Sequence, residues 1–197
     1  MTRNEWLVFD YGEVISARTD KLPALAQRLG VPASEFEPAY WAARSAYDRG
    51  CTDLDYWRAV GQRVGVGIDR ATSDELTELD ILGWSRTEQP ALELLETLSE
   101  TGARMALLSN APVSFARFAE RQDWTRHFRE LVFSGDLRLA KPDRAIFDVL
   151  MTRIGARPQD CLFVDDRQSN IDGARAAGLR AERWTGASTA LTFLRPA

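Results

Sequence analysis

The sequence predicts an α/β fold: a Rossmann-like parallel sheet with helices on both faces, carrying a small all-helical cap inserted after the first strand. Three observations point there. Short apolar runs bounded by turn residues recur along the chain. Helical patterns separate the later runs from one another. The long interval between the first run and the second holds helical patterns only.

Trp6–Phe9 reads as the first strand, followed by Met105–Leu108, Leu131–Phe133, Leu162–Val164 and a weaker Arg180–Trp184. Between the last four lie helices, and a further one precedes them. Glu88–Thr101 carries Leu92, Leu95 and Leu98 and stops at Gly102; Ser114–Arg121 is the next; Asp143–Ile154 stops at Gly155; Asn170–Ala177 stops at Gly178. Alternating strands and helices give parallel strands joined by right-handed crossovers. Residues from about 18 to 85 offer several helices instead, with apolar faces from Leu25, Leu29, Trp41, Tyr47, Tyr56, Trp57 and Val60. Thr52–Asp55 and Thr72–Glu75 both match a helix start in which a hydroxyl caps the first turn, the second as a full capping box. Residues 1–15 and 86–197 are therefore expected to form the core domain and 16–85 the cap.

Composition limits the function. The 197 residues hold 25 Lys plus Arg against 29 Asp plus Glu, a formal charge of −4. A mildly acidic chain is poorly suited to unaided binding of a phosphate backbone, so no nucleic-acid partner is expected. No apolar run approaches the roughly 20 residues of a membrane helix. MTRNEWLVFD lacks the apolar stretch and cleavage site of a signal peptide, and a cytoplasmic location is the default expectation. Cys51 and Cys161 stand 110 residues apart without a CxxC pattern and read as small buried apolar residues. The single histidine, His127, sits in a short amphipathic segment with a surface or packing role. That points toward carboxylate, lysine and metal chemistry.

In an open parallel sheet, ligands bind beyond the C-terminal strand ends. Asp10-Tyr11-Gly12-Glu13 follows the first strand, Ser109-Asn110 the second, and a loop from Ser134 to Ala140 with Lys141-Pro142 the third. Asp165-Asp166, then Asn170, follow the fourth. These groups suit phosphoryl transfer. Asp10, Asp165 and Asp166 can share a hard cation such as Mg²⁺, which takes oxygen ligands and relieves their mutual repulsion. A carboxylate can then attack phosphorus. Ser109 and nearby amides can hold phosphate oxygens, with Lys141 supplying a compact positive charge. Each residue has a plainer reading. Asp165-Asp166 could start a helix, Ser109 could cap the helix beginning near Pro112, and Lys141 could be an ordinary loop lysine. Trp41, Tyr47 and Trp57 could line a pocket or fill a core; Arg44 and Arg49 could grip an anion or be solvated.

The segments FDYGEV, LLSN, AKPDRAIF and FVDDRQSNIDGARAAG together resemble the four motifs of the haloacid-dehalogenase-like (HAD) hydrolase superfamily. The stretch Tyr47-Asp48-Arg49-Gly50-Cys51-Thr52, followed by Tyr56-Trp57, resembles the cap of a subgroup with sugar-phosphate phosphatases such as α-glucose-1-phosphate phosphatase. The resemblance implies Asp10 as nucleophile and metal ligand, the Gly12 carbonyl and Asp166 as further ligands, and Asp165 as a ligand directly or through water. It also implies phosphate binding by Ser109 and Lys141, with Asn110 supporting that loop and Asn170 orienting the acidic one. The implied activity is Mg²⁺-dependent hydrolysis of small phosphorylated metabolites through an aspartyl phosphate, by a monomer or weak homodimer.

One position departs from the family's usual Asp-x-Asp: Gly12 stands where the general acid is expected. The subgroup with FDLGNV-like motifs shares this feature. Water or the cap is then expected to supply the proton, favouring good leaving groups; the adjacent Glu13 reads equally as a solvent-facing turn residue. Two alternatives keep the fold: a metal-independent 2-haloacid dehalogenase, and a non-catalytic binding protein. Dehalogenase relatives usually lack the paired acids that stand here at 165–166.

Overall fold

A computed structural model describes residues 5–194; the outermost residues of the expected core, 1–4 and 195–197, lie outside them. Its sheet contains β1 (Trp6–Phe9), β2 (Arg104–Ser109), β3 (Glu130–Phe133), β4 (Cys161–Asp165) and β5 (Arg180–Arg183). All neighbours are parallel, in the order β3-β2-β1-β4-β5. The expected α/β class and its strands are therefore present, each within a residue or two of the apolar run that marks it.

Both faces of the central strands β1, β2 and β4 are buried, which is why these read as continuous apolar runs rather than alternating ones. Leu7, Phe9, Leu107 and Val164 face α5 (Gln89–Glu100), α6 (Val113–Ala119) and α10 (Ala187–Leu194). Trp6, Val8, Leu108 and Phe163 face α8 (Arg144–Ile154) and α9 (Gln168–Ala176). Fully burying one such side chain contributes ~1.5–3 kcal/mol.

Between β1 and α5 run α1 (Leu22–Leu29), α2 (Ala33–Asp48), α3 (Asp53–Arg63) and α4 (Arg70–Trp84). They enclose a separate apolar cluster around Leu25, Phe36, Tyr40, Trp57 and Leu76. The segments leading into and out of these helices pair with each other: Ser16 bridges Thr87 antiparallel, and Glu88 N donates to Ile15 O at 2.8 Å. Thr52 caps α3 as expected, accepting from Asp55 N. Thr72 does not start a helix. Asp69 caps α4 and accepts from Thr72 N at 2.8 Å, so the helix begins one turn earlier and Thr72 lies inside its first turn.

The expected loop 134–140 opens instead with one helical turn, α7 (Ser134–Leu137), whose first residue bonds to neighbouring backbone. His127 ends a short 3₁₀ segment, Asp123–His127. Cys161 is buried in β4 and Cys51 is half-buried beside α3, both as free thiols. Among the described residues, no helix is long and apolar enough to cross a membrane.

Candidate active site

The sheet register builds the site. Phe9 pairs with Leu107 on one side and Val164 on the other, so the next residues along, Asp10, Leu108 and Asp165, reach the same edge together. Asp10 N still donates to Val164 O at 2.9 Å, which fixes its backbone before the chain turns away. Ligand oxygens of Asp10, Asp165 and Asp166 lie within 4.8 Å of one another.

Lys141 enters this cluster from the loop after α7. Its Nζ is 2.7 Å from Asp10 Oδ1 and 2.8 Å from Asp165 Oδ2, and it donates to Leu108 O at 2.7 Å. The ammonium is fully buried, so three oxygens replace its water. Asn110 anchors the same loop from β2's end: Lys141 N donates to its Oδ1 and its Nδ2 donates to Lys141 O, both at 2.9 Å. Gly173 in α9 leaves room for this loop; a Cβ there would meet Pro142 O at 2.5 Å.

The two adjacent acids behave differently. Asp165 is wholly buried, and its oxygens accept from Lys141, from Asn170 Nδ2 at 3.0 Å to each, and from Arg167 N at 2.8 Å. Asp166 is half-buried and lines the cavity above the cluster, as Asp10 does. The open carboxylates are thus Asp10 and Asp166, with Asp165 behind them holding the lysine. Neither acid caps a helix; the residue at the start of α9 is Arg167.

Electrostatics follow from this burial. Burial pushes Asp10 up to about 7; Lys141 opposes that shift, while Asp165 and Asp166 add to it. Burial raises Asp166 too, aided by Asp165 and Glu13. Burial alone would lower Lys141, but Asp10 and Asp165 outweigh it and hold its pKa above the ordinary value. Three clustered acids beside one cation form an acid-rich oxygen donor set, the kind that suits Mg²⁺ or another hard divalent ion.

A cavity of about 420 Å³ opens over these groups. Gly12, Ser109, Asn110 and Asn170 line it from the core. Ser109 ends β2 and is buried; it does not cap α6, whose cap residue is Pro112. Glu13 is exposed and adopts a left-handed backbone, φ 56°.

The roof comes from the helical insert: Trp41, Arg44, Asp48 and Arg49 of the α2 stretch and Trp84 of α4. Tyr47 and Trp57 are core residues, fully buried, whereas Trp41 does face the cavity. Arg44 is not solvated. Nε donates to Asp48 Oδ1 at 2.8 Å, Nη1 donates to Tyr40 OH and lies 3.3 Å from Asp80 Oδ2, and the guanidinium stacks over Tyr40, Tyr47 and Trp84. Asp80 and Trp84 reach it from α4, distant in sequence, which no local pattern shows. Burial pushes Asp48 and Asp80 up, against the pull of Arg44. Arg49 is half-exposed and pairs with Asp143 across to the core at 2.8 Å. Asp48, Trp84 and Arg167 are cavity residues that the strand-end argument misses. The i, i+4 spacing of Arg44 and Asp48 could have flagged Asp48; nothing local marks Trp84.

Comparison with known proteins places this geometry. A family model described as haloacid dehalogenase-like hydrolase matches residues 26–178. The chain belongs to that family of hydrolases. Among curated relatives, phosphoglycolate phosphatase 1 of Pseudomonas aeruginosa is 34% identical over 95 residues, 48% of this chain and 35% of the relative. This chain therefore spans only about a third of that protein's length. Among solved structures, the HAD family enzyme BT-2542 of Bacteroides thetaiotaomicron, in complex with magnesium and inorganic phosphate, superposes with a TM-score of 0.73 at 16% identity, covering 92% of this chain and 94% of that one. L-2-haloacid dehalogenase of Xanthobacter autotrophicus, with chloropropionic acid covalently bound, gives 0.74 at 16% identity over 98% and 84%. Those two likenesses establish the fold.

Proposed function

We propose that the chain is a Mg²⁺-dependent phosphatase of small phosphorylated metabolites, sugar phosphates among them. The observation that carries this reading is the meeting of Asp10, Asp165 and Asp166 within 4.8 Å of one another, with Lys141 Nζ 2.7 Å from Asp10. Asp10 is the nucleophile. Its oxygen attacks phosphorus as the P–O bond to the leaving group breaks, giving an aspartyl phosphate that water then hydrolyses. Lys141 holds Asp10 in place and offers positive charge to the transferring group. Ser109 binds a phosphate oxygen, Asn110 fixes the lysine loop, and Asn170 orients Asp165. Asp10, Asp166 and the Gly12 carbonyl would hold the cation, with Asp165 behind them. When bound, the cation neutralises charge between the carboxylates and a dianionic phosphate.

Residues 1–15 and 86–197 act as the catalytic unit and 16–85 as the cap that selects the substrate. The relative's name, phosphoglycolate phosphatase, supports phosphatase chemistry, as does the magnesium and phosphate complex of the Bacteroides enzyme. With Gly12 in place of an acid, the leaving group takes its proton from water or the cap. A panel of phosphorylated metabolites assayed with Mg²⁺ and with EDTA tests the reading. Turnover that needs Mg²⁺ and is lost in Asp10→Asn supports it. Halide release from 2-haloacids in EDTA would replace it with dehalogenase chemistry.

A further inference from the structure

We infer that Asp48 is the residue that selects the leaving group, and that it selects an uncharged, hydroxyl-rich one while disfavouring a carboxylate. The inference rests on the phosphatase reading above and specifies its substrate class.

The roof of the cavity is chemically committed. Arg44, the cation nearest the roof's acids, is bound to Asp48 and Asp80 and stacked over Tyr40, Tyr47 and Trp84. Two carboxylates share that one guanidinium, so the cluster carries surplus acid. Of the other cations lining the cavity, two are ion-paired and one stands at the solvent-exposed rim, where water screens it. Lys141 is held by Asp10 and Asp165, Arg49 by Asp143, and Arg167 is exposed at the rim. A second anion on the substrate would thus meet Asp48 without a free buried cation to receive it, a repulsive contact of the kind that discriminates between ligands.

A hydroxyl meets a different surface. Arg44 engages Asp48 through Oδ1 alone, and a carboxylate has about four acceptor positions, so Oδ2 retains capacity for substrate O–H donors. The carboxylate is only 16% exposed, which strengthens such a bond and makes leaving it unmade costly. Trp41 and Trp84, half-buried and edge-to-face at 6.3 Å, add apolar walls on which the C–H face of a sugar ring can pack. Acceptor and apolar wall together fit a polyol; they do not fit the carboxylate of phosphoglycolate.

The test uses the whole chain with Mg²⁺ and three probes: an aldohexose 1-phosphate, 2-phosphoglycolate, and p-nitrophenyl phosphate, which brings neither hydroxyl nor second anion. For the wild type we expect kcat/KM on the hexose phosphate at least ten-fold above phosphoglycolate. In Asp48→Asn and in Asp48→Ala, the hexose-to-nitrophenyl ratio should fall about ten-fold or more, while the phosphoglycolate-to-nitrophenyl ratio rises. Ratios within one preparation do not depend on the folded fraction. A wild-type preference for phosphoglycolate, or variants in which the ratios stay fixed, would overturn the inference while nitrophenyl phosphate turnover upheld the phosphatase reading. Failure to hydrolyse any of the three would overturn both.

Discussion

Lys141 Nζ lies 2.7 Å from Asp10 Oδ1, joining side chains 131 positions apart in a pocket sealed from water on the lysine's side. The same ammonium is 2.8 Å from Asp165. Replacing it leaves two buried carboxylates facing each other. Lys141→Met should therefore destabilise the protein by ~3–5 kcal/mol, the usual result of breaking one side of a buried pair. It should also cut turnover by about 10²–10³, as losing comparable electrostatic support does. Denaturant melts and kcat on the best substrate of the panel measure both; a stable, active variant would contradict the role given to this residue.

The elevated Asp10 has a signed consequence for pH. Its pKa rises from an ordinary 3.8 to about 7, so between those values the native state binds more protons than the unfolded chain. The stability this proton confers is complete below about pH 4 and is lost as the pH rises through about 7. A cation competes with that proton. At a fixed, sub-saturating Mg²⁺ concentration, the rise in Tm should be larger at pH 8 than at pH 5.5. An equal or reversed shift in a thermal melt would count against Asp10 as a ligand.

Asn170 holds Asp165 through two 3.0 Å bonds from one amide nitrogen. Removing it should cost ~1–3 kcal/mol, the range for a buried group left short of a partner. Outer partners of metal ligands typically govern affinity by about 10–100-fold, so Mg²⁺ binding in Asn170→Ala should weaken on that scale. Asn170→Asp should be worse, because it sets carboxylate against carboxylate. Calorimetric titration with Mg²⁺ ranks the three proteins, and a wild-type affinity in both variants would refute the assignment.

Much of the fold was legible because strands buried on both faces are continuous apolar runs, and Trp6–Phe9 or Cys161–Asp165 shows itself as such. The core acids and Lys141 were legible because strand ends are where an open sheet binds. The roof was not. Arg44 looks solvated in one dimension, and only the packing of α2 against α4 brings Asp80 and Trp84 to it. The Thr72 capping box failed for a local reason: Asp69, three residues earlier, caps the helix first, accepting from Thr72 N and leaving Thr72 inside the first turn. The polar start of α7 gave no periodic signal in four residues.

Gly50 marks where the cap loop settles on the core. It has φ +84°, and a Cβ there would sit 2.4 Å from Gly135 O. Nearby, Tyr47 OH and Ser114 Oγ meet at 3.1 Å, and Arg49 pairs with Asp143. Gly50→Ala adds a left-handed penalty of ~1–2 kcal/mol to a backbone clash. We expect a lower Tm and a raised KM as the roof lifts from the cavity; unchanged values of both would show that this contact does not position the cap.

The central claim is that Asp10 and Asp166 share one divalent ion beside Lys141. A crystal structure grown with Mn²⁺ and inorganic phosphate, with the ion located by anomalous scattering, tests it most directly. The account predicts one ion bonded to oxygens of Asp10, Asp166 and the Gly12 carbonyl, with phosphate between that ion and Lys141. An ion bound elsewhere, or one that leaves Asp10 uncoordinated, would contradict it.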